Sequence, residues 1–163
     1  SDAGTVEVSH AAYTEFDYSD SVLNCALLFE AVAFENKVIL NNDIVPGIHV
    51  CGSETQMKQV VTILLDNACK YAGLHGTVSV SLKSASHHAV LTVNNTGEPI
   101  PSSDQKHIFE RFYRTDKSRV RKEGGYGLGL SIARTIVEQH KGKITVSSSL
   151  EEGTTFTVMF PVP

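Results

Sequence analysis

The 163-residue sequence predicts an α/β (α+β) two-layer sandwich, with helices on one face of a mixed, mostly antiparallel sheet. Three observations lead there. Three segments carry apolar residues at helical spacing, two of them behind capping signals. Several short segments alternate apolar and polar residues in pairs, the pattern of hairpins with one buried face. Between them, from Asn95 to Gly127, lies a long stretch with neither period, leading through glycines straight into a helix.

In chain order, Glu15 to Ser19 reads as a short strand. Asp20 or Ser21 can cap a helix running to about Phe34, with Leu23, Leu27, Ala31 and Phe34 on one side. Lys37 to Leu40 reads as a strand ended by Asn41-Asn42-Asp43 and Pro46-Gly47, and Ile48 to Val50 as a very short one. Ser53, with Gln56 three residues on, forms a capping box for a second helix. Met57, Val60, Val61, Leu64, Leu65, Ala68 and Ala72 give that helix its core face, and Gly73 stops it. Val78, Val80 and Leu82 mark a half-buried strand, with Ala89, Leu91 and Val93 in its hairpin partner. Leu128 to His140 is helical again, with Leu128, Ile132, Ile136 and Val137 inward. Ile144 and Val146, then Phe156, Val158 and Phe160, close the domain as a second hairpin. An unpatterned stretch as long as Asn95 to Gly127 is uncommon in a compact domain unless it serves function.

With 41% hydrophobic and 20% charged residues, the chain has material for one core. A formal net charge of -4 speaks against nucleic acid as a partner. No apolar run approaches the ~20 residues of a membrane span, and no signal peptide is visible. Cys25, Cys51 and Cys69 are an odd number without ligand spacing, which reads as reduced thiols in a cytosolic protein. The histidines are scattered, and the one adjacent pair, His87-His88, reads as a solvated turn. Residues 1–13 are expected to be a linker or remnant and residues 14–163 the domain.

Four segments carry chemistry. In the second helix Ile63, Asn67, Lys70 and Tyr71 form a stripe beside the core face. A carboxamide oxygen there can ligate Mg2+, and an ammonium can meet phosphate oxygens. In Val93-Asn94-Asn95-Thr96-Gly97-Glu98-Pro99-Ile100-Pro101, strand parity puts Asn95 on the inward face. Leaving it unpaired there costs about 1–3 kcal/mol, and an adenine amino group is a suitable donor to its oxygen. In Gly124-Gly125-Tyr126-Gly127-Leu128-Gly129-Leu130, glycines let backbone N–H groups approach a phosphate at a helix start. The spacing is neither a Rossmann fingerprint nor a P-loop. Ile108-Phe109-Glu110-Arg111-Phe112-Tyr113-Arg114 sets aromatics beside Lys117, Arg119, Arg121 and Lys122, which suits a flap over polyphosphate. Taken singly, each has a plain structural reading: an amphipathic boundary, a turn, a structural glycine turn, a solvated basic loop.

Together and in this order, the segments resemble the homology boxes of the sensor histidine kinase catalytic domain. Leu65-Asp66-Asn67-Ala68-Cys69-Lys70-Tyr71 resembles the N box, Asn95 to Pro101 the first glycine box, Phe109 to Arg114 the F box and Gly125 to Leu130 the second glycine box. Gly153-Thr154-Thr155-Phe156 matches the last box, so the resemblance covers about residues 14 to 160. It implies a Bergerat-type ATP-binding fold with a mobile ATP lid, and ATP and Mg2+ as cofactors. By resemblance Asn67 coordinates Mg2+, Lys70 contacts phosphate and Tyr71 flanks the adenine. Asn95 reads the adenine amino group, Gly97 and Ile100 shape the pocket, and Thr154 closes its end. Tyr113 and Arg114 sit in the lid, Arg114 reaching toward the γ-phosphate. Gly125, Gly127, Leu128, Gly129 and Leu130 present backbone to the phosphates. Asn67 and Arg114 are thus the catalytic candidates.

The implied activity is transfer of the γ-phosphoryl group to a histidine on a separate dimerisation domain, for relay to a response regulator receiver domain. The implied setting is the cytoplasmic part of a membrane-bound bacterial sensor. Three departures bear on this. Asn95 stands where the family usually has aspartate, and hydrogen bonds to ionised groups are roughly twice as strong as neutral ones, so weaker nucleotide binding is expected. Pro99 replaces a glycine and stiffens its loop. Ile63 stands where hydrolytic relatives such as gyrase carry a water-activating glutamate, which favours a kinase over an ATPase. The phosphoacceptor motif is absent, since His10 is followed by Ala11-Ala12-Tyr13. Two other readings compete: a degenerate nucleotide-binding module, favoured by Asn95 and Pro99, and an anti-sigma-type serine kinase, disfavoured by the Phe112-Tyr113-Arg114 lid.

Overall fold

Local signals set the element boundaries. This computed structural model describes residues 13–113 and 128–163. The order is β1 (Tyr13–Asp17), α1 (Tyr18–Glu35), β2 (Ile39–Ile44), β3 (His49–Ser53), α2 (Glu54–Tyr71), β4 (Thr77–Ala85), β5 (His88–Asn95), α3 (Ser102–Gln105), α4 (Gly129–Gln139), β6 (Lys143–Ser149) and β7 (Gly153–Pro161). Ser53 caps α2 as expected, its hydroxyl accepting the Gln56 N–H at 3.3 Å. The β4–β5 hairpin turns through Ser86 and His87, both at positive φ, as tight hairpin turns require.

The main sheet has the order β2-β4-β5-β7-β6, and only the β2–β4 pair is parallel. β1 and β3 form a separate antiparallel ribbon. Val78, Val80, Leu82, Leu91, Val93, Phe156, Val158 and Phe160 are buried on the helix side of the sheet. The alternate residues, among them Ser79, Ser81, Thr92, Asn94, Thr155 and Thr157, are only half-buried. α2 supplies Met57, Val60, Val61, Leu64, Leu65 and Ala68 to the same core. Each such Leu, Val or Phe contributes roughly 1.5–3 kcal/mol by burial. This is the two-layer arrangement that the alternation predicted.

Helix α1 departs from expectation in both start and face. Asp17 is the cap, its carboxylate accepting the Asp20 N–H at 2.9 Å, so Tyr18 and Ser19 belong to the helix rather than to β1. The inward residues are Tyr18, Val22, Cys25, Ala26 and Ala33, whereas Leu27 is 50% and Phe34 84% exposed. Leu23 is half-buried and Ala31 exposed. Because the helix is apolar nearly all round, its period does not select a face; the small Cys25, Ala26 and Ala33 do, by allowing close packing. The fully buried Tyr18 then donates its hydroxyl to the Met57 carbonyl at 3.2 Å.

β2 runs on through Asn41-Asn42-Asp43, where a strand end was expected. It pairs with β4 from Ile39↔Thr77 to Ile44↔Leu82, and as an edge strand it leaves those polar side chains in water. β3 extends past Val50 to Ser53. In α4, Ile136 and Val137 are buried with Ser131 and Ala133, while Leu128 and Ile132 are half-buried.

His140 ends α4 and ties it to α2. Its Nδ1 meets the Ile136 carbonyl at 2.8 Å and its Nε2 accepts the Ser53 N–H at 3.0 Å, which fixes the neutral Nδ1–H tautomer. Tyr13 stacks on the ring at 4.8 Å, and a Cβ at Gly52 would lie 2.3 Å from it. Burial pushes the imidazole pKa below its ordinary value, partly offset by the bond to Ile136. Among the described residues no helix is long and apolar enough to cross a membrane.

Candidate active site

The C-terminal half of α2 carries the predicted stripe. Ile63, Asn67 and Tyr71 are half-buried and Lys70 is exposed. At about 1.5 Å per residue the stripe from Ile63 to Tyr71 is roughly 12 Å long. The Asn67 carboxamide makes no hydrogen bond with other described residues. Lys70 Nζ lies 3.1 Å from the Asp66 carboxylate, one turn back. An exposed pair of this kind is worth only a few tenths of a kcal/mol, roughly 0.3–0.5, so a phosphate can displace it.

One end of the stripe meets the ends of three strands. Asn95 on β5 is the cross-strand partner of Thr154 on β7, and Thr154 is the partner of Ser148 on β6. Asn95 and Thr154 are 3% and 4% exposed. Asn95 Nδ2 donates to the Thr96 carbonyl at 2.7 Å, leaving the side-chain oxygen for another donor. Ser148 Oγ accepts the Ile100 N–H at 2.8 Å and lies 2.7 Å from Thr154 Oγ1. Gln105 Nε2 donates to the Ile100 carbonyl at 2.8 Å. The loop after β5 is sewn to the end of α2: Thr96 Oγ1 donates to the Ala72 carbonyl at 3.0 Å. Gly97 has φ +123°, and a Cβ there would lie 2.3 Å from the Tyr71 carbonyl oxygen. Only glycine lets this loop close against the helix.

The other end of the stripe meets α4. A Cβ on Gly129 would lie 3.5 Å from Ile63 Cγ2, so the first turn of α4 sits against α2 one turn before Asn67. Among the described residues no side chain caps α4, whose N-cap is Leu128. Its first-turn N–H groups carry partial positive charge and favour an anion. Gly129 is exposed and Leu130 half-buried. The site is thus a stripe with a buried polar cluster around Asn95 and Thr154 at one end and, at the other, a helix start that no described side chain caps.

Residues 52–163 match the family described as histidine kinase-, DNA gyrase B-, and HSP90-like ATPase. The chain belongs to that family. It is 39% identical over 145 residues to sensor histidine kinase RppB of Synechocystis sp., which is 88% of this chain and 32% of RppB. It is 38% identical over 136 residues to sensor protein CiaH of Streptococcus pneumoniae, 82% of this chain and 30% of CiaH. The catalytic domain of histidine kinase ThkA has a TM-score of 0.81 and 28% identity, covering 91% of this chain and 95% of that domain. The chain is a histidine kinase catalytic ATP-binding domain, and it spans about a third of the curated relatives it matches, 32% and 30%.

Within this histidine kinase domain, the F box is anchored by Phe109, whose ring meets Phe156 edge-on at 5.9 Å. Tyr113 donates its hydroxyl to the Asp104 carboxylate and packs 5.3 Å from His107, which in turn lies 2.6 Å from Glu110. Arg114, Gly125 and Gly127 lie outside the described residues. The structure brings Tyr71, Asn95, Gly97, Ile100 and Thr154 to one end of the stripe and Gly129 to the other, with Asn67 midway. Sequence reasoning missed Ser148 and Gln105. Strand parity held the signal for Ser148, which shares its face with Ile144 and Val146.

Proposed function

We propose that this chain binds Mg-ATP and transfers the γ-phosphoryl group to a histidine of a separate dimerisation domain, from which it passes to a response regulator aspartate. The observation that carries this is the approach of Gly129 to Ile63, which sets a helix start one turn from Asn67, with the Asn95–Thr154 pair at the far end of the stripe. The residues fit the groups: two carboxamide oxygens, on Asn67 and Asn95, have no partner among the described residues.

Asn67 would hold Mg2+, a cation that typically takes one or two protein ligands and completes its shell with phosphates and water. When bound, Mg2+ supplies charge neutralisation at the phosphate oxygens. Lys70 leaves Asp66 to meet phosphate. The backbone around Gly129 and Leu130, preceded by Gly125, Gly127 and Leu128, cradles the phosphates, and Arg114 reaches the γ-phosphate. Asn95 accepts from the adenine amino group, walled by Tyr71, Gly97, Ile100 and Thr154, with Tyr113 at the base of the lid. An incoming neutral imidazole nitrogen forms the new bond to phosphorus as the bond to the β–γ bridging oxygen breaks, leaving ADP. Positioning and electrostatics carry most of such a transfer. Ile63 offers no base to activate water, so hydrolysis is slow.

ThkA, 27% identical with a TM-score of 0.78, was solved with the response regulator TrrA, which supports the relay. In this reading the chain is the cytoplasmic piece of a membrane-bound sensor, with residues 1–13 as linker and 14–163 as the catalytic domain; the relatives named as sensors are about three times its length. The test is to mix the chain with its dimerisation domain and γ-labelled ATP. Acid-labile label on the histidine is expected. Absence of label under conditions where ATP binds refutes the kinase assignment. The neutral Asn95 and the stiff Pro99 favour a second reading, a degenerate module; a calorimetric titration that shows no heat up to millimolar Mg-ADP would establish that the site is empty of function as a nucleotide site.

A further inference from the structure

We infer that His140 is a positioning residue for the phosphate end of the site: by accepting the Ser53 N–H it pins the end of α4 to the start of α2, and so sets where the first turn of α4 stands relative to Asn67. The inference rests on the nucleotide reading above and adds what keeps the two helices of the site in register.

Two contacts set the direction of α4 against α2. Ser53, the N-cap of α2, donates its N–H to Nε2 of His140, the C-cap of α4, at 3.0 Å. At the other contact a Cβ on Gly129 would lie 3.5 Å from Ile63 Cγ2. The end of α4 thus meets the start of α2, and the start of α4 meets its middle, so the two helices run antiparallel. Ten residues separate Ser53 from Ile63, and eleven separate Gly129 from His140. At about 1.5 Å per residue these intervals are about 15 and 16–17 Å, and they match. The hydrogen-bonded rise of a helix is stiff, so a slip at the His140 end is a slip of similar size at Gly129. Asn67 lies fourteen residues along α2 from Ser53, about 21 Å. His140 therefore acts on the phosphates only through α4.

What holds α4 along its axis lies at that far end. The buried residues of its first half are Ser131 and Ala133, small side chains that give a facing helix little to interlock with. Ser131 also turns its hydroxyl back onto the Leu128 carbonyl at 2.8 Å. The bulky buried residues, Ile136 and Val137, are in the last turn. Beyond them the buried His140 ring is seated by four elements. Its Nδ1–H donates to the Ile136 carbonyl of its own helix at 2.8 Å. Tyr13 of β1 stacks on it at 4.8 Å with 8° between the planes, and Phe160 of β7 meets it edge-on at 6.1 Å. On β3, a Cβ at Gly52 would lie 2.3 Å from its Cδ2 and 2.8 Å from its Nε2. Apolar burial has no direction, whereas a hydrogen bond fixes a point along the axis.

The experiment compares the unchanged chain with three variants, each checked for folding by thermal unfolding. His140→Phe keeps a ring in place and removes the acceptor. Gly52→Ala drives the imidazole off the Ser53 N–H by its added Cβ. Ser53→Ala removes the cap hydroxyl of α2 but keeps the N–H, so it destabilises α2 with the pin intact. In the nucleotide-free chain the amide resonances of Gly129 and Leu130, about 16–17 Å from the change, should move in His140→Phe and Gly52→Ala and stay in Ser53→Ala. Mg-ATP should bind about tenfold more weakly in the first two, the scale of an anion losing a helix start. Adenosine carries no phosphate; measured by displacing a fluorescent ATP analogue, it should stay within about twofold in all three. Unmoved Gly129 and Leu130 resonances in a folded pin variant overturn the inference, as does an equal loss of Mg-ATP and adenosine affinity. So does a 15N spectrum of the unchanged chain at about pH 8, where histidine is ordinarily neutral, that puts the His140 proton on Nε2; that result needs no variant to fold. Failure of the unchanged chain to bind Mg-ATP overturns the proposed function itself, whereas loss of the split in a chain that binds Mg-ATP overturns this inference alone.

Discussion

The side-chain amide of Asn95 donates to the carbonyl oxygen of Thr96 at 2.7 Å, which leaves the side-chain oxygen without a partner among the described residues. The neutral residue thereby offers the acceptor that a carboxylate would offer in its place. It also makes the amide nitrogen part of the fold, since the Thr96 carbonyl would otherwise lose a partner.

Asn95→Asp separates these two roles. The carboxylate gains a charge-assisted bond to the adenine amino group, roughly twice as strong as the neutral one. It loses the donor to Thr96 and sets an oxygen against that carbonyl. Denaturant unfolding should show a loss of about 1–3 kcal/mol, and calorimetry a change in ATP affinity of no more than about threefold, because the two effects oppose. A much tighter complex with unchanged stability would contradict the Thr96 contact.

Asn67→Ala should leave the fold intact, because Asn67 is half-buried and its carboxamide makes no hydrogen bond with other described residues. The change in unfolding free energy should stay within about 0.5 kcal/mol. Mg-ATP affinity should fall on the order of 100-fold or more, the upper scale for disturbing a metal site. Unchanged affinity in the calorimeter would remove Asn67 from the metal assignment.

Gly97→Ala tests the seam between the loop after β5 and α2. The added Cβ would lie 2.3 Å from the Tyr71 carbonyl oxygen at a φ of +123°, so the loop must shift. Stability should fall by about 1–3 kcal/mol, and ATP binding should weaken in parallel as Ile100 is displaced. Full stability with normal binding would show that the loop does not need this closeness.

The stability of the domain should depend on His140 below neutral pH. Burial lowers its folded-state pKa. Above the unfolded value of about 6.5 the ring is neutral in both states and nothing is lost. As pH falls through that value the unfolded chain takes up a proton that the folded chain refuses, so stability declines, levelling only below the folded-state pKa. His140→Gln should therefore flatten the stability curve below about pH 6.5, while lowering stability at about pH 8 by roughly 1–3 kcal/mol as the Ser53 N–H loses its partner. Parallel curves for the two proteins would assign the acid sensitivity to other groups.

Short-range periodicity and chemistry, read from the sequence by itself, determined a good deal. Ser53 before the Met57–Ala72 apolar face specified α2, and alternation specified both hairpins. Parity placed Asn95 on the buried side of β5, where it is found. The order of the boxes pointed to the family. Each of these is a relation among residues within a turn or two of helix or along one strand.

Tertiary structure alone decided the rest, because it rests on relations with no local period. Helix α1 is apolar nearly all round, and only its packing against α2 and the sheet turned Ala26 and Ala33 inward and left Leu27 and Phe34 in water. The polar run Asn41-Asn42-Asp43 reads as a strand end until β4 supplies a parallel partner. Ser148 meets Ile100 across 48 residues and His140 meets Ser53 across 87, in each case through a backbone N–H that every non-proline residue carries. No sequence pattern distinguishes one such N–H from another. The approach of Gly129 to Ile63, which joins the helix start to the Asn67 stripe, likewise exists only once α4 has packed on α2.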